Sequence, residues 1–345
     1  MPLSNLTSRI ASPADLSPAE VAHWEHLSAT EPEMGSPFLS VHYAQAMAAA
    51  GMDARVCVVY RDGEIAAFLA FQFSSGWARR MGAAERIGGE LCDCFGVVAP
   101  RGFTIAPPAL LRLAKLNYLG FSHLEEPQIA MGLSGEQPRI ALRVHLDPSA
   151  AVPMEKVASV TPHYLEESRA RQRSLEAELG PVRFAFDAVS GRDALLDQLI
   201  ADKRAQYRAA GAPDMLASPE KQRALHLLLA SDHASCKGVL SSLYAGEHWL
   251  ASHFGIIGHG MLILWFPVAN PALERHAPDR LLLHSLVQAS HEAGFTVLDC
   301  GEGDTPRKRE IASEQYRLYR GVWRNGSATS HAAHAVQRLR WRFGM

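Results

Sequence analysis

WFPVANPALERHAPDRLLLHSLVQASHEAG, residues 265–294, decides how the chain folds. Read with the MLIL before it, the apolar run forms one long strand over 261–270, then a loop with Pro271 and Pro278, then an amphipathic helix beginning near Asp279 to Leu281. Proline donates nothing to a ladder, so Pro267 marks a bulge or a place where the neighbouring strand has peeled away. Beyond it the backbone of Val268, Ala269 and Asn270 is expected to lack a strand partner, and buried amides seldom stay unpaired. An extended chain of amides answers that need. The helix start offers free N–H groups near Leu281 and a dipole that favours phosphate, with Arg275 and Arg280 at hand. Coenzyme A, an amide chain ending in a pyrophosphate, has that shape. The plain alternative is that Pro267 ends the strand and the loop is only a loop; the residues leave both readings open.

Outward from this stretch, the residues just before it form a hairpin, VLSSLYAGEHWLASHFGII at 239–257, with Gly246 in its turn. An earlier segment, ARVCVVYRDGEIAAFLAFQF at 54–73, has the same plan around Asp62-Gly63. Both carry a tyrosine just before the turn, a Gly-Glu pair and an apolar returning strand. Helices precede each. Ser17-Pro18 and Ser40 open two in the first half, the second stopping at Gly51; Pro162, the 192–211 stretch and Pro219 begin three in the second, the first of these closed by Gly180. The repeat implies a domain-scale duplication: α+β, with a mixed sheet in each half. The stretch LDPSAAVP, residues 146–153, is the candidate linker, giving domains 1–150 and 151–345.

Composition narrows the classes. With 48% apolar and 20% charged residues the chain is globular, and a formal charge of −2 provides no field for DNA or an anionic membrane. Five scattered cysteines suit thiols in a reducing compartment. The first twenty residues lack a basic end followed by an apolar core, and no stretch is long enough to span a bilayer, so a soluble cytoplasmic protein is expected. The Cys92-x-Cys94 pair has no second half elsewhere and no His-Glu-x-x-His occurs, so no metal is expected. The basic tail VQRLRWRFGM, 336–345, reads as a frayed helix or a weak surface attachment.

An ordered set of segments carries a family resemblance: SPFLSVHYAQAM, VYRDGEIAAFLAFQ, LCDCFGVV, ESRARQRSLEAELG, DKRAQYRAAG, LASHFG, WFPVAN with APDRLLL, and LDCGEGDTPRKREI. Over about residues 20–325 the chain resembles the GNAT-superfamily acyltransferases of the CelD/BcsL type, associated with cellulose and exopolysaccharide biosynthesis. It is more distantly similar to the Fem family, whose paired GNAT-like domains move amino acids from tRNA. The resemblance implies two tandem GNAT-like domains, each a mostly antiparallel sheet flanked by helices, the first on the acceptor side and the second holding the acyl donor, with the acceptor in the cleft between them. It implies transfer from acetyl-CoA or another acyl-CoA to a small-molecule or glycan acceptor, an amino sugar or sugar-nucleotide precursor. The alternatives are Fem-like aminoacyl transfer and a non-catalytic scaffold. Where such families carry a glycine-bearing pyrophosphate loop, ERHAPDRL has no glycine, and Arg307 replaces the usual Tyr before Lys308.

Amide formation needs an unprotonated nucleophile, oxyanion stabilisation and a proton for the leaving group. His253, on the returning strand beside the splayed one, is the candidate base; otherwise it is a satisfied core histidine. Glu302, with Asp299 and Asp304, closes the next strand, either taking the ammonium proton and orienting the acceptor or merely forming the turn. Lys308 is the candidate for oxyanion or phosphate charge, by resemblance to the Fem-family lysine; its alternative is one solvated charge among Arg307 and Arg309. For the acceptor, the resemblance singles out Asp93, and Lys203, Gln206 and Tyr207 share one helix turn; salt bridges and caps are the competing reading.

Overall fold

The computed structural model describes residues 6–157, 159–327 and 330. The basic tail at 336–345 lies outside them. The described residues lay down fourteen strands: β1 Leu6–Ala11, β2 Asp53–Arg61, β3 Glu64–Phe73, β4 Ala83–Arg86, β5 Val97–Val98, β6 Tyr118–Glu125, β7 Glu136–His145, β8 Val182–Ala185, β9 Lys237–Ala245, β10 His248–Gly258, β11 Met261–Ile263, β12 Phe266–Ala269, β13 Val297–Glu302 and β14 Glu314–Arg324. By contacts they divide into two units. The first runs to Arg139 and resumes at Arg317; the second is Ile140–Tyr316.

In the first unit the strand order is β1-β2-β3-β4-β6-β14, with β5 held on β3. In the second it is β8-β9-β10-β11-β13-β7, with β12 held on β10. The two orders are the same plan. Each has a central hairpin, one parallel pair (β4 with β6, β11 with β13), and a last antiparallel strand. That last strand comes from elsewhere in sequence: β6 pairs with β14, and β13 pairs with β7.

The hairpins superpose in number as well as in kind. Their inner ends, Arg61 and Ala245, and their restarts, Glu64 and His248, stand 184 residues apart (245 less 61, 248 less 64). Both carry one bulge, at Ala66 and at Leu250, again 184 apart. A bulge lodged at the same place in two ladders is a designed bend, not an accident. In the first turn Asp62 and Gly63 both have positive φ, 54° and 91°, the geometry an Asp-Gly pair tolerates best.

The helices follow their end signals. Ser17 caps Pro18–Thr30 through a full capping box with Glu20, Ser40 caps Val41–Ala49, and Thr161 caps Pro162–Leu179, which ends at Gly180. Trp24 of the first stacks on Phe68 of β3 at 4.7 Å. In the second unit a core of Leu243, Ala251, Leu262, Leu286 and Leu298 joins the sheet to helix Pro278–Gln288. The long strand expected over 261–270 is broken at Leu264-Trp265 into β11 and β12. All five cysteines are buried and unpaired. Among the described residues no helix is long and apolar enough to cross a membrane, and no group of three or more His, Cys, Asp or Glu is placed to hold a metal.

Candidate functional site

The break between β11 and β12 opens a notch. β11 runs parallel to β13 from Met261 opposite Val297 to Ile263 opposite Asp299, and the Leu264 N–H still reaches the Asp299 carbonyl at 2.8 Å. From there the chain leaves β13: β12 pairs only with β10, with Phe254 opposite Phe266, His253 opposite Pro267, and Ala251 opposite Ala269.

Backbone groups alternate sides along a strand, and the bond from Asn270 N–H to Leu250 O, 2.8 Å, sets the phase. Phe266, Val268 and Asn270 therefore turn their N–H and C=O groups toward β10, while Pro267 and Ala269 turn theirs to the open edge. Val268 and Asn270, expected to lack a partner, have one. This phase also explains the proline: at position 267 the missing N–H costs no ladder bond.

Helix Arg192–Ala209 packs over this edge and delivers Lys203. Its Nζ donates to the Pro267 carbonyl at 2.9 Å, lies 3.4 Å from Gln206 Oε1 and 5.6 Å from the centre of the Tyr207 ring. Burial lowers its pKa from the ordinary lysine range to about 8. The group expected to contact the acceptor thus stands on the splayed strand itself.

His253 is fully buried. Its Nε2 lies 3.2 Å from the Ile263 carbonyl, which makes that nitrogen the donor, and its Nδ1 has no hydrogen-bond partner. Burial brings the imidazole to about 4, so it is neutral at physiological pH. The ring folds over Gly255, where a Cβ would meet the Ile263 oxygen at 2.3 Å and the ring Cε1 at 2.5 Å. His253 and Gly255 together shape the kink from beneath.

At the fork Asp299 is nearly enclosed, its carboxylate accepting from Arg143 Nε at 2.9 Å, from the Tyr316 hydroxyl at 2.9 Å and from the Gly301 N–H at 2.7 Å. Arg143 also stacks on the Tyr316 ring at 3.8 Å. Neither partner was legible beforehand. Further along, Lys308 Nζ donates to the Glu302 carbonyl at 2.7 Å, and Asp304 pairs with Arg309.

Helix Pro278–Gln288 starts from Ala277, in the left-handed region and without a side-chain cap. Its cations are engaged. Arg275 pairs with Glu178; Arg280 pairs with Glu167 at 3.1 Å and stacks on Tyr164 at 4.2 Å; Arg307 pairs with Asp279 in the first turn. Leu281, which bonds back to Ala277 O at 3.2 Å, buries its side chain in the core. Asp93 belongs to the first unit, 3.7 Å from His123 on the turn between Cys92 and Cys94. Pro267, Ala269, Lys203 and Tyr207 thus come together at one edge with His253 beneath it, while Arg275 and Arg280 stand at the helix start and Glu302 with Lys308 past the fork.

The second unit thus holds a split strand beside a parallel neighbour, followed by a helix without a side-chain cap. Residues 163–309 match the acetyltransferase (GNAT) domain family. The GNAT segment spans every element of the notch. Over 90% of the chain and 96% of its counterpart, the fold is similar to the crystal structure of FemX, at 10% identity and a TM-score of 0.54. Over 94% of the chain and 98% of its counterpart it is similar to the C-terminal domain of a proposed lysylphosphatidylglycerol synthetase from Agrobacterium fabrum, at 12% identity and a TM-score of 0.51. At these identities the likeness is one of fold: α+β, mostly antiparallel, GNAT-like. No curated protein matches the chain.

Proposed function

We propose that the chain is an N-acyltransferase that takes its acyl group from an acyl-CoA laid along the free edge of β12. The observation that carries this reading is the edge itself: the N–H and C=O of Ala269 face away from β10 at the point where β13 has diverged. An extended amide chain adds there as a surrogate strand. The GNAT match over 163–309 supports acyl transfer as the reaction class.

In this reading Lys203, rather than the enclosed His253, handles the proton. Near pH 8 a good fraction of its amine is neutral. It takes the proton that the attacking amine sheds as the C–N bond forms and the thioester C–S bond breaks; the departing thiolate is protonated from solvent. His253, through Ile263, keeps β11 and β12 at their angle. The acceptor is an amino sugar or a sugar-nucleotide precursor, on the strength of the resemblance of the sequence to polysaccharide-associated acyltransferases.

One observation favours a second reading, aminoacyl transfer from tRNA. Arg275, Arg280 and Arg307 are each neutralised by carboxylates, and Asp279 stands in the helix's first turn, which suits a donor without a pyrophosphate. Thermal-shift measurements with acetyl-CoA, longer acyl-CoAs and aminoacyl-tRNA separate the two, because only a true ligand stabilises the fold by mass action. Stabilisation by an acyl-CoA that weakens about tenfold in affinity in Ala269→Pro supports the first reading. A shift with aminoacyl-tRNA alone sinks it, and no shift with any donor leaves the scaffold.

A further inference from the structure

Among the described residues the duplicated sheets contain two notches, and one of them has an open edge. In the first unit β4 pairs in parallel with β6, as β11 does with β13, and β5 stays on β3, as β12 stays on β10. Val97 lies opposite Leu69, and Pro267 opposite His253. Leu69 and His253 keep the 184-residue spacing of the hairpins (253 less 69), so Val97 occupies in the first notch the place of Pro267 in the second.

The outward groups of Val97 are both taken by one side chain. Gln128, buried just after β6, accepts from the Val97 N–H through Oε1 at 2.9 Å and donates through Nε2 to the Val97 carbonyl at 3.2 Å. A primary amide bonded to both backbone groups of a residue does what the next strand would do. Gly96 is what lets it in, since a Cβ there would lie 2.5 Å from the Gln128 side-chain carbon. The chain also returns to β6 at this point, with Phe95 N–H on His123 O at 2.9 Å. Beside Val98, among Trp24, Phe38, Cys94 and Phe95, about 10 Å³ remains, room for a single water.

The helix after each notch shows the same contrast. In the first unit helix Pro107–Leu113 opens with two prolines, and the Ala109 and Leu110 amides both bond back to Ala106, at 3.0 and 3.1 Å. Its first turn has no N–H left to offer. In the second, Arg280 and Leu281 bond back to Ala277, and among the described residues the Asp279 N–H has no hydrogen bond.

We infer that Gln128 seals the first notch as an internal surrogate strand, so the chain takes one donor, in the second unit. The inference rests on the proposed donor reading for its second half, while the seal stands on the Val97 contacts alone. The test uses the full chain. Calorimetric titration with acetyl-CoA is expected to give one site per chain, and residue-resolved hydrogen exchange to show the donor slowing Ala269 and leaving Val97 unchanged. Gln128→Met, which keeps volume without hydrogen bonds, is expected to speed Val97 exchange at least tenfold. Gln128→Glu retains the acceptor and keeps Val97 slow. Two sites per chain, or donor protection at Val97, overturns the single-site inference; unchanged Val97 exchange in Gln128→Met overturns the seal. Absence of acetyl-CoA binding in the unmodified chain counts against the donor reading, and the two Gln128 variants still decide the seal.

Discussion

Lys203 Nζ donates to the carbonyl oxygen of Pro267 at 2.9 Å, joining a helix side chain to the unladdered edge of a split strand. The bond places a partly buried amine, at about 8, where the chemistry is proposed to occur. Lys203→Met is expected to lower kcat about 100-fold while donor Kd stays within a few-fold. In the unmodified protein the rate rises with pH through about 8, because the neutral amine is the working form. Steady-state kinetics from pH 6 to 9.5 check this; the rising limb should vanish in the variant.

The kink depends on a residue without a side chain. Gly255→Ala forces a methyl against the Ile263 carbonyl, which is backbone and has little freedom to move. A loss of about 1–3 kcal/mol is expected, read as a lower denaturant midpoint at unchanged slope.

Asp299 supports the fork, and its removal should be felt as stability. Asp299→Ala strands the Arg143 guanidinium, which is largely buried, and should cost about 3–5 kcal/mol. Arg143→Met paired with Asp299→Leu should recover part of that loss, which a double-mutant cycle reads directly.

Acid should weaken the first unit through Glu20. Burial opposes its ionisation, but Arg9, the Tyr60 hydroxyl at 2.7 Å and Ser17 bring its carboxyl down to about 2 from the usual 4.5. A depressed carboxylate stabilises the fold above its unfolded value, and that contribution is lost as pH falls from about 4.5 toward 2. Melting curves of Glu20→Gln against the unmodified chain should differ by about 3 kcal/mol at pH 7 and converge by pH 2.

Much of this architecture is written locally. Asp62-Gly63 announces the first hairpin, Pro162 and Gly180 bracket a helix, and Pro267 signals an interrupted strand, although the break itself falls earlier, at Leu264-Trp265. What was missed is non-local. β1 has no local turn or hairpin signal, because its ladder partner β2 begins more than forty residues on. β6 is buried on both faces over much of its length, so it lacks the alternation that betrays a half-exposed strand. At the site, the sequence puts Lys203 on a helix face but cannot show which strand lies beneath it. It puts His253 beside the split strand but does not reveal that Gly255 makes room for the ring to fold inward. Gln128 sits in an unremarkable EPQIA turn, and its meaning emerges only from what stands opposite it.

Because β6 is flanked by β14, the ribosome must make the whole second unit before the earlier-made sheet acquires its outer ribbon. Until then β6 presents a bare rim of amides and carbonyls to solvent or to a chaperone. A nascent chain cut short anywhere in the second unit would thus release a sticky, incomplete first half rather than a smaller working protein.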